Sequence, residues 1–141
     1  MLEKVTFCAQ DEAEKMSGDP DTVVISMVSP GSSPAKLAKG FAAVLQLGFD
    51  DVSYPLRGKE RVRLPISRGQ AAEIVAFLQL WHGMPNGPKR LLVHSESGLS
   101  RAAAVAQFSA EYLGLAHDQE FTCANAAVLS RLRKAAGIQP A

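Results

Sequence analysis

The stretch Leu91-Leu92-Val93-His94-Ser95-Glu96-Ser97-Gly98-Leu99-Ser100-Arg101 constrains the fold of this 141-residue chain more than any other. An apolar run ends in a histidine, a short polar segment with one glycine follows, and an alanine-rich helical pattern begins at Arg101. This reads as strand, tight loop, helix. Other apolar runs alternate with helical patterns in the same way, which predicts a parallel sheet covered by helices. In such sheets, ligands bind beyond the carboxyl ends of the strands, where Ser95 falls.

The remaining elements follow from periodicity and punctuation. Val5 to Ala9 reads as a first strand, and Asp11 to Ser17 as a helix stopped by Gly18. Thr22 to Val28 is rich in β-branched residues and reads as a buried strand. Ser29 to Pro34 has the composition of a loop, with a short helix expected after it. Ala43 to Phe49 is expected as a strand. Asp50 to Pro65 is a long irregular stretch, a length common in functional loops.

Ser67 to Trp81 is the clearest helix. Ser67 and Gln70 form a capping box, Ile66 and Ala71 a hydrophobic staple, and Ala71, Ile74, Val75, Leu78 and Trp81 share one face. Arg90 to His94 is the strand feeding the loop. Arg101 to Leu113 follows as a helix with Val105, Phe108 and Tyr112 inward and Gly114 as its stop. Helical patterns near Gln119 to Ala124 and Asn125 to Ala136 complete the chain. The expected architecture is α/β: one domain over 1–141 with a central, mostly parallel sheet of about four or five strands flanked by helices.

Composition narrows the function. The net charge of +1 argues against a general nucleic-acid binder. Cys8 and Cys123 lack metal-ligand spacing and read as core residues. The chain does not start with a basic, then apolar, block, so no signal peptide is expected. No apolar run approaches ~20 residues, so no membrane-spanning helix is expected. A reducing cytoplasm is the expected location. Charge is uneven: Glu3, Asp11, Glu12, Glu14, Asp19 and Asp21 make the start acidic. Arg57, Lys59, Arg61, Arg63 and Arg68 face only Glu60, which reads either as a solvated face or as a patch for acidic phosphopeptides. His82 and His117 read as surface residues.

The loop itself has the layout of an oxyanion cradle. Backbone N–H groups and a helix N-terminus converge on one spot, and a guanidinium closes the far side. Gly98 allows close backbone approach, and the planar fork of Arg101 pairs bidentately with two oxygens of a phosphoryl group. A serine-hydrolase elbow is excluded because neither Ser95 nor Ser97 has glycines two before and two after it. A nucleotide-binding Gly-Lys-Ser/Thr ending is absent.

His94-Ser95-(five residues)-Arg101 resembles the His-Cys-(five residues)-Arg loop of the cysteine-dependent protein tyrosine and dual-specificity phosphatases. Phe49-Asp50-Asp51-Val52 is similar to a segment of small bacterial members. The resemblance covers roughly Thr22 to Ala110. It implies a phosphatase-like fold, hydrolysis of phosphotyrosine (with phosphoserine and phosphothreonine left open) through a phosphocysteine, and no cofactor or metal. It also implies a phosphotyrosine-containing protein or peptide as partner, with phosphate or sulfate able to occupy the loop.

Ser95 then stands at the nucleophile position and His94 supports the loop. Glu96, Ser97, Gly98, Leu99, Ser100 and Arg101 bind phosphate. The general acid is Asp51 or Asp50, with Glu60 in reserve; Asp50-Asp51 also reads as a simple turn cap. Two departures stand out. A serine hydroxyl is far less acidic than a thiol and has no evident base, so Ser95 should hardly attack. The chain is then either a substrate-trapping Cys-to-Ser form or a natural pseudophosphatase that binds phosphorylated residues without turnover. Ala102 also replaces the Ser or Thr that usually follows the arginine, leaving Ser100 as the nearest hydroxyl.

Overall fold

The computed structural model describes residues 1–52 and 63–138. Arg57, Lys59, Glu60 and Arg61 therefore lie outside the described residues. Four strands, β1 (Lys4–Ala9), β2 (Thr22–Val28), β3 (Ala43–Gly48) and β4 (Arg90–Ser95), form one all-parallel sheet in the order β1-β4-β2-β3. Helices α1 (Gln10–Lys15), α2 (Arg68–His82), α3 (Arg101–Leu113) and α4 (Ala126–Ala135) connect or follow them. The expected α/β architecture is present, with four strands.

The two-residue period of the strands sorts their side chains onto two unlike faces. Val5, Val23, Ile25, Met27, Leu47, Leu91 and Val93 point to the face covered by α2, α3 and α4. There they meet Ile74, Leu78, Val105, Phe108 and Leu132, all in one buried cluster. Val24, Leu92 and Cys8 point the other way and meet Ala13 of α1, with Leu37 and Phe41 alongside. That second layer is thinner, built of one short helix and irregular chain.

Helix starts follow the chemistry expected of them. Ser67 Oγ accepts from Gln70 N–H at 3.0 Å, and the Gln70 side chain accepts from Ser67 N–H at 2.9 Å, completing the capping box. Ile66 and Ala71 are both buried. Asn125 Oδ1 accepts from the Ala127 and Val128 amides and so caps α4. Gly114 ends α3 in the left-handed conformation, φ 69°.

Four expectations are corrected. Gln119 to Ala124 is not helical. Instead the Gln119 amide donates to Phe7 O at 2.8 Å and accepts from Phe7 N–H at 2.9 Å. It thereby stands in for a neighbouring strand at the open edge of β1, and Phe121 packs on Phe7. No short helix follows Pro34: Lys36 N–H is taken by Glu14 Oε2 at 2.8 Å, which holds that segment against α1. Cys123 is exposed rather than in the core, whereas Cys8 is buried. His117 is exposed, as expected, but His82 is half-buried.

Candidate phosphate-binding loop

Strand β4 lies between β1 and β2, so the chain leaving it at Ser95 emerges at the centre of the sheet's carboxyl edge. The segment 96–100 turns back at once into α3. Gly98 makes that turn possible. Its φ is +75°, and a Cβ there would lie 2.4 Å from Ala9 N and 2.5 Å from the Cys8 carbonyl carbon. Only a residue without a side chain fits between the loop and the end of β1.

The turn aims main-chain donors at the side chain of residue 95. Ser95 is fully buried, and its Oγ accepts from Gly98 N–H and Ala102 N–H, each at 3.2 Å. Ala102 belongs to the first turn of α3, whose amides have no acceptor within the helix. The helix dipole adds positive potential at the same point. Ser100, the cap position of α3, makes no side-chain cap; its hydroxyl donates to Asp51 Oδ1 at 2.7 Å. The Ser97 hydroxyl accepts weakly from Leu99 N–H, at 3.4 Å, and Leu99 is 64% exposed.

Arg101 is only 5% exposed. Nη1 donates to Phe49 O at 2.7 Å and lies 3.5 Å from Ser29 Oγ, while Nη2 donates to Glu96 Oε1 at 3.1 Å. Glu96 Oε1 also accepts from Ser29 N–H at 3.1 Å and Ser29 O–H at 2.5 Å. These bonds, chiefly those from the Ser29 hydroxyl and the guanidinium, hold the Glu96 carboxyl below the usual range. His94 is fully buried on the thinner face and shares a 2.5 Å hydrogen bond through Nε2 with Ser26 Oγ of β2. Burial depresses its pKa, which favours the neutral ring. His94 therefore ties β4 to β2 directly beneath the loop.

The two aspartates part company. Asp50 is tied to Leu64. Its N–H donates to Leu64 O at 2.6 Å, and its Oδ2 accepts from Leu64 N–H at 2.8 Å. Asp51 is exposed and faces the loop, with Oδ1 accepting from Ser100 O–H and Asn125 Nδ2, each at 2.7 Å. No partner for its Oδ2 occurs among the described residues. Sequence reasoning passed over Ser29, Ser26, the Phe49 carbonyl and the side-chain reach of Asn125. Of these, only Asn125 carried a local signal, as a helix cap.

A cavity of about 200 Å³ adjoins the Ser29 side of the loop, lined in part by Ser29, Pro30, Gly31, Gln46 and Gly48. Among the described residues, no three His, Cys, Asp or Glu side chains are grouped as a metal site, and no helix is long and apolar enough to cross a membrane. No family model, curated protein or solved structure matches this chain.

Proposed function

We propose that this chain is a phosphate-ester-binding domain of the protein tyrosine phosphatase type. Its loop 95–101 receives the phosphoryl group, and Ser95 stands where a nucleophilic cysteine would act. The observation that carries this reading is the convergence of the Gly98 and Ala102 amides on the buried side-chain atom of residue 95. A neutral hydroxyl needs no such concentration of donors. A thiolate does, because two N–H bonds and a helix N-terminus are the means by which proteins keep a sulfur anion stable at neutral pH.

With cysteine at 95, the thiolate would attack phosphorus while Arg101 pairs with two equatorial oxygens. Asp51, tethered to the end of the loop through Ser100, would protonate the leaving oxygen. Asp50 is the weaker choice because its carboxylate is held by Leu64 N–H. Ser100, engaged by Asp51, replaces the missing hydroxyl at 102 poorly, so release of phosphate from the cysteine should be the slow step. With serine at 95 the apparatus binds and hardly turns over. The substrate class is a phosphotyrosine-containing protein or peptide, with shorter phosphorylated side chains admitted if the site is shallow. No cofactor enters the chemistry. Two unpaired cysteines fit a cytoplasmic location.

The test is Ser95→Cys assayed on an aryl phosphate, with Arg101→Ala added in the same background. Turnover by the first and its loss in the second is the expected result. Binding of phosphopeptide by Ser95→Cys without turnover would leave a non-catalytic recognition module instead.

A further inference from the structure

Glu96 is an acidic residue inside a loop that is read above as an anion site, and its carboxylate lies 3.1 Å from the one buried guanidinium there. Simple electrostatics makes this unfavourable for an anionic ligand, so the contact needs a reason. The hydrogen bonds supply one. Nη1 and Nη2 of an arginine each offer one hydrogen at the outer end of the fork. Ser29 Oγ and Glu96 Oε1, only 2.5 Å apart, take that end together. Phe49 O takes the second hydrogen of Nη1. The N–H groups left over are Nε–H and the other hydrogen of Nη2, which run parallel along one edge of the fork. Neither has an acceptor among the described residues.

We infer that Glu96 is a positioning residue. Together with Ser29 it fixes Arg101 by the outer end of its fork and reserves the parallel edge for two oxygens of the bound tetrahedral anion. The role assigned to Glu96 by the resemblance, binding phosphate, thus falls to its main chain at most. A carboxylate cannot donate, and its Oε1 is occupied by the Ser29 N–H, the Ser29 hydroxyl and the guanidinium. The same contacts couple the loop to the chain leaving β2. Ser29 begins the turn closed by Ser32 N–H on Ser29 O at 3.1 Å, so that turn and Arg101 share one anchor.

This inference rests on the phosphate-binding reading, and the experiment separates the two. Sulfate is the probe, since its charge is constant across the useful pH range. Its affinity for the full chain is measured by calorimetry for the unaltered protein and for Arg101→Ala, Glu96→Ala, Glu96→Gln and Ser29→Ala. In parallel, the Arg101 Nε–H resonance is followed by nuclear magnetic resonance.

Sulfate binding that Arg101→Ala abolishes upholds the site. Glu96→Ala should then weaken binding about tenfold despite removing a negative charge, because the fork is no longer held in place. Glu96→Gln keeps an acceptor for Ser29 and the guanidinium and should recover affinity to within about threefold. Ser29→Ala should fall between them. The Nε–H signal should be sharp and shift with sulfate in the unaltered protein and Glu96→Gln, and be broadened by exchange in Glu96→Ala. If Glu96→Ala binds sulfate equally or more tightly, the positioning role is overturned while the site stands. If Arg101→Ala and the unaltered protein do not differ, the site itself is lost.

Discussion

At the start of α2, the Ser67 hydroxyl and the Gln70 side chain exchange hydrogen bonds with each other's amides. At the start of α3, the Ser100 hydroxyl turns away to Asp51, and the amide of Ala102 reaches back to Ser95. Both helices begin beside the carboxyl edge of the sheet: Gln70 Nε2 donates to Gly48 O at the end of β3, and α3 leaves from the end of β4. One satisfies a donor inside its own capping box, and the other sends its Ala102 amide back to the buried Ser95 hydroxyl at the start of the loop. A helix that gives up its cap loses about 1 kcal/mol of local stability, and the contrast marks the place where an outside acceptor is expected. Local rules tend to be broken where a chain has work other than folding.

The contrast can be broken most severely at Gly98. Gly98→Ala forces a Cβ to within 2.4 Å of the β1 main chain at a positive φ. A loss of at least ~3 kcal/mol in denaturant unfolding is expected, with anion binding abolished. Retention of sulfate affinity in this variant would mean that the turn is not what shapes the loop. Asn125→Ala comes next. It removes the cap of α4 and the bond to Asp51, and should cost about 1.5 kcal/mol in the same measurement. Ser67→Ala should cost about 1 kcal/mol, since it opens the capping box on α2. Ser100→Ala should cost about 0.5 kcal/mol or less, because that hydroxyl caps nothing. If thermal unfolding shows Ser100→Ala to be as damaging as Ser67→Ala, the two helix starts are not different in kind.

Cysteine chemistry sharpens the same picture at the underside of the loop. Burial first, then Glu12 and Asp11, push the Cys8 thiol up to about 11. At pH 8 only about one molecule in a thousand carries the thiolate. Alkylation at that pH should modify exposed Cys123 and leave Cys8 intact until the protein is unfolded, as read by peptide mass.

What the sequence disclosed depended on how far apart the interacting groups lie. The β-branched run Thr22–Val28 and the Ser67/Gln70 box carry their physics within a few residues, and both could be read directly; the need for glycine at 98 was legible from the tight turn, but its contact with the end of β1 was not. Gln119 could not. Its helical neighbourhood was outweighed by two bonds to Phe7, far earlier in the chain. Ser29 was likewise silent, because its role comes from Glu96 and Arg101, which arrive through the connection from β4 into α3. Asp50 and Asp51, adjacent and chemically identical, were indistinguishable until Leu64 and Ser100 separated them.

Gly98 rests on the peptide between Cys8 and Ala9, near the amino terminus, while the loop holding it comes from the second half of the chain. The proposed anion-binding loop therefore cannot be shaped by local sequence alone. It is completed only when the edge strand β1 docks beside β4, a step of high contact order that closes a long stretch of polypeptide. During synthesis, a nascent chain that has not yet made this docking would lack the proposed anion-binding loop in its final shape. Recovery of sulfate binding on refolding should accordingly lag behind the recovery of helical circular dichroism.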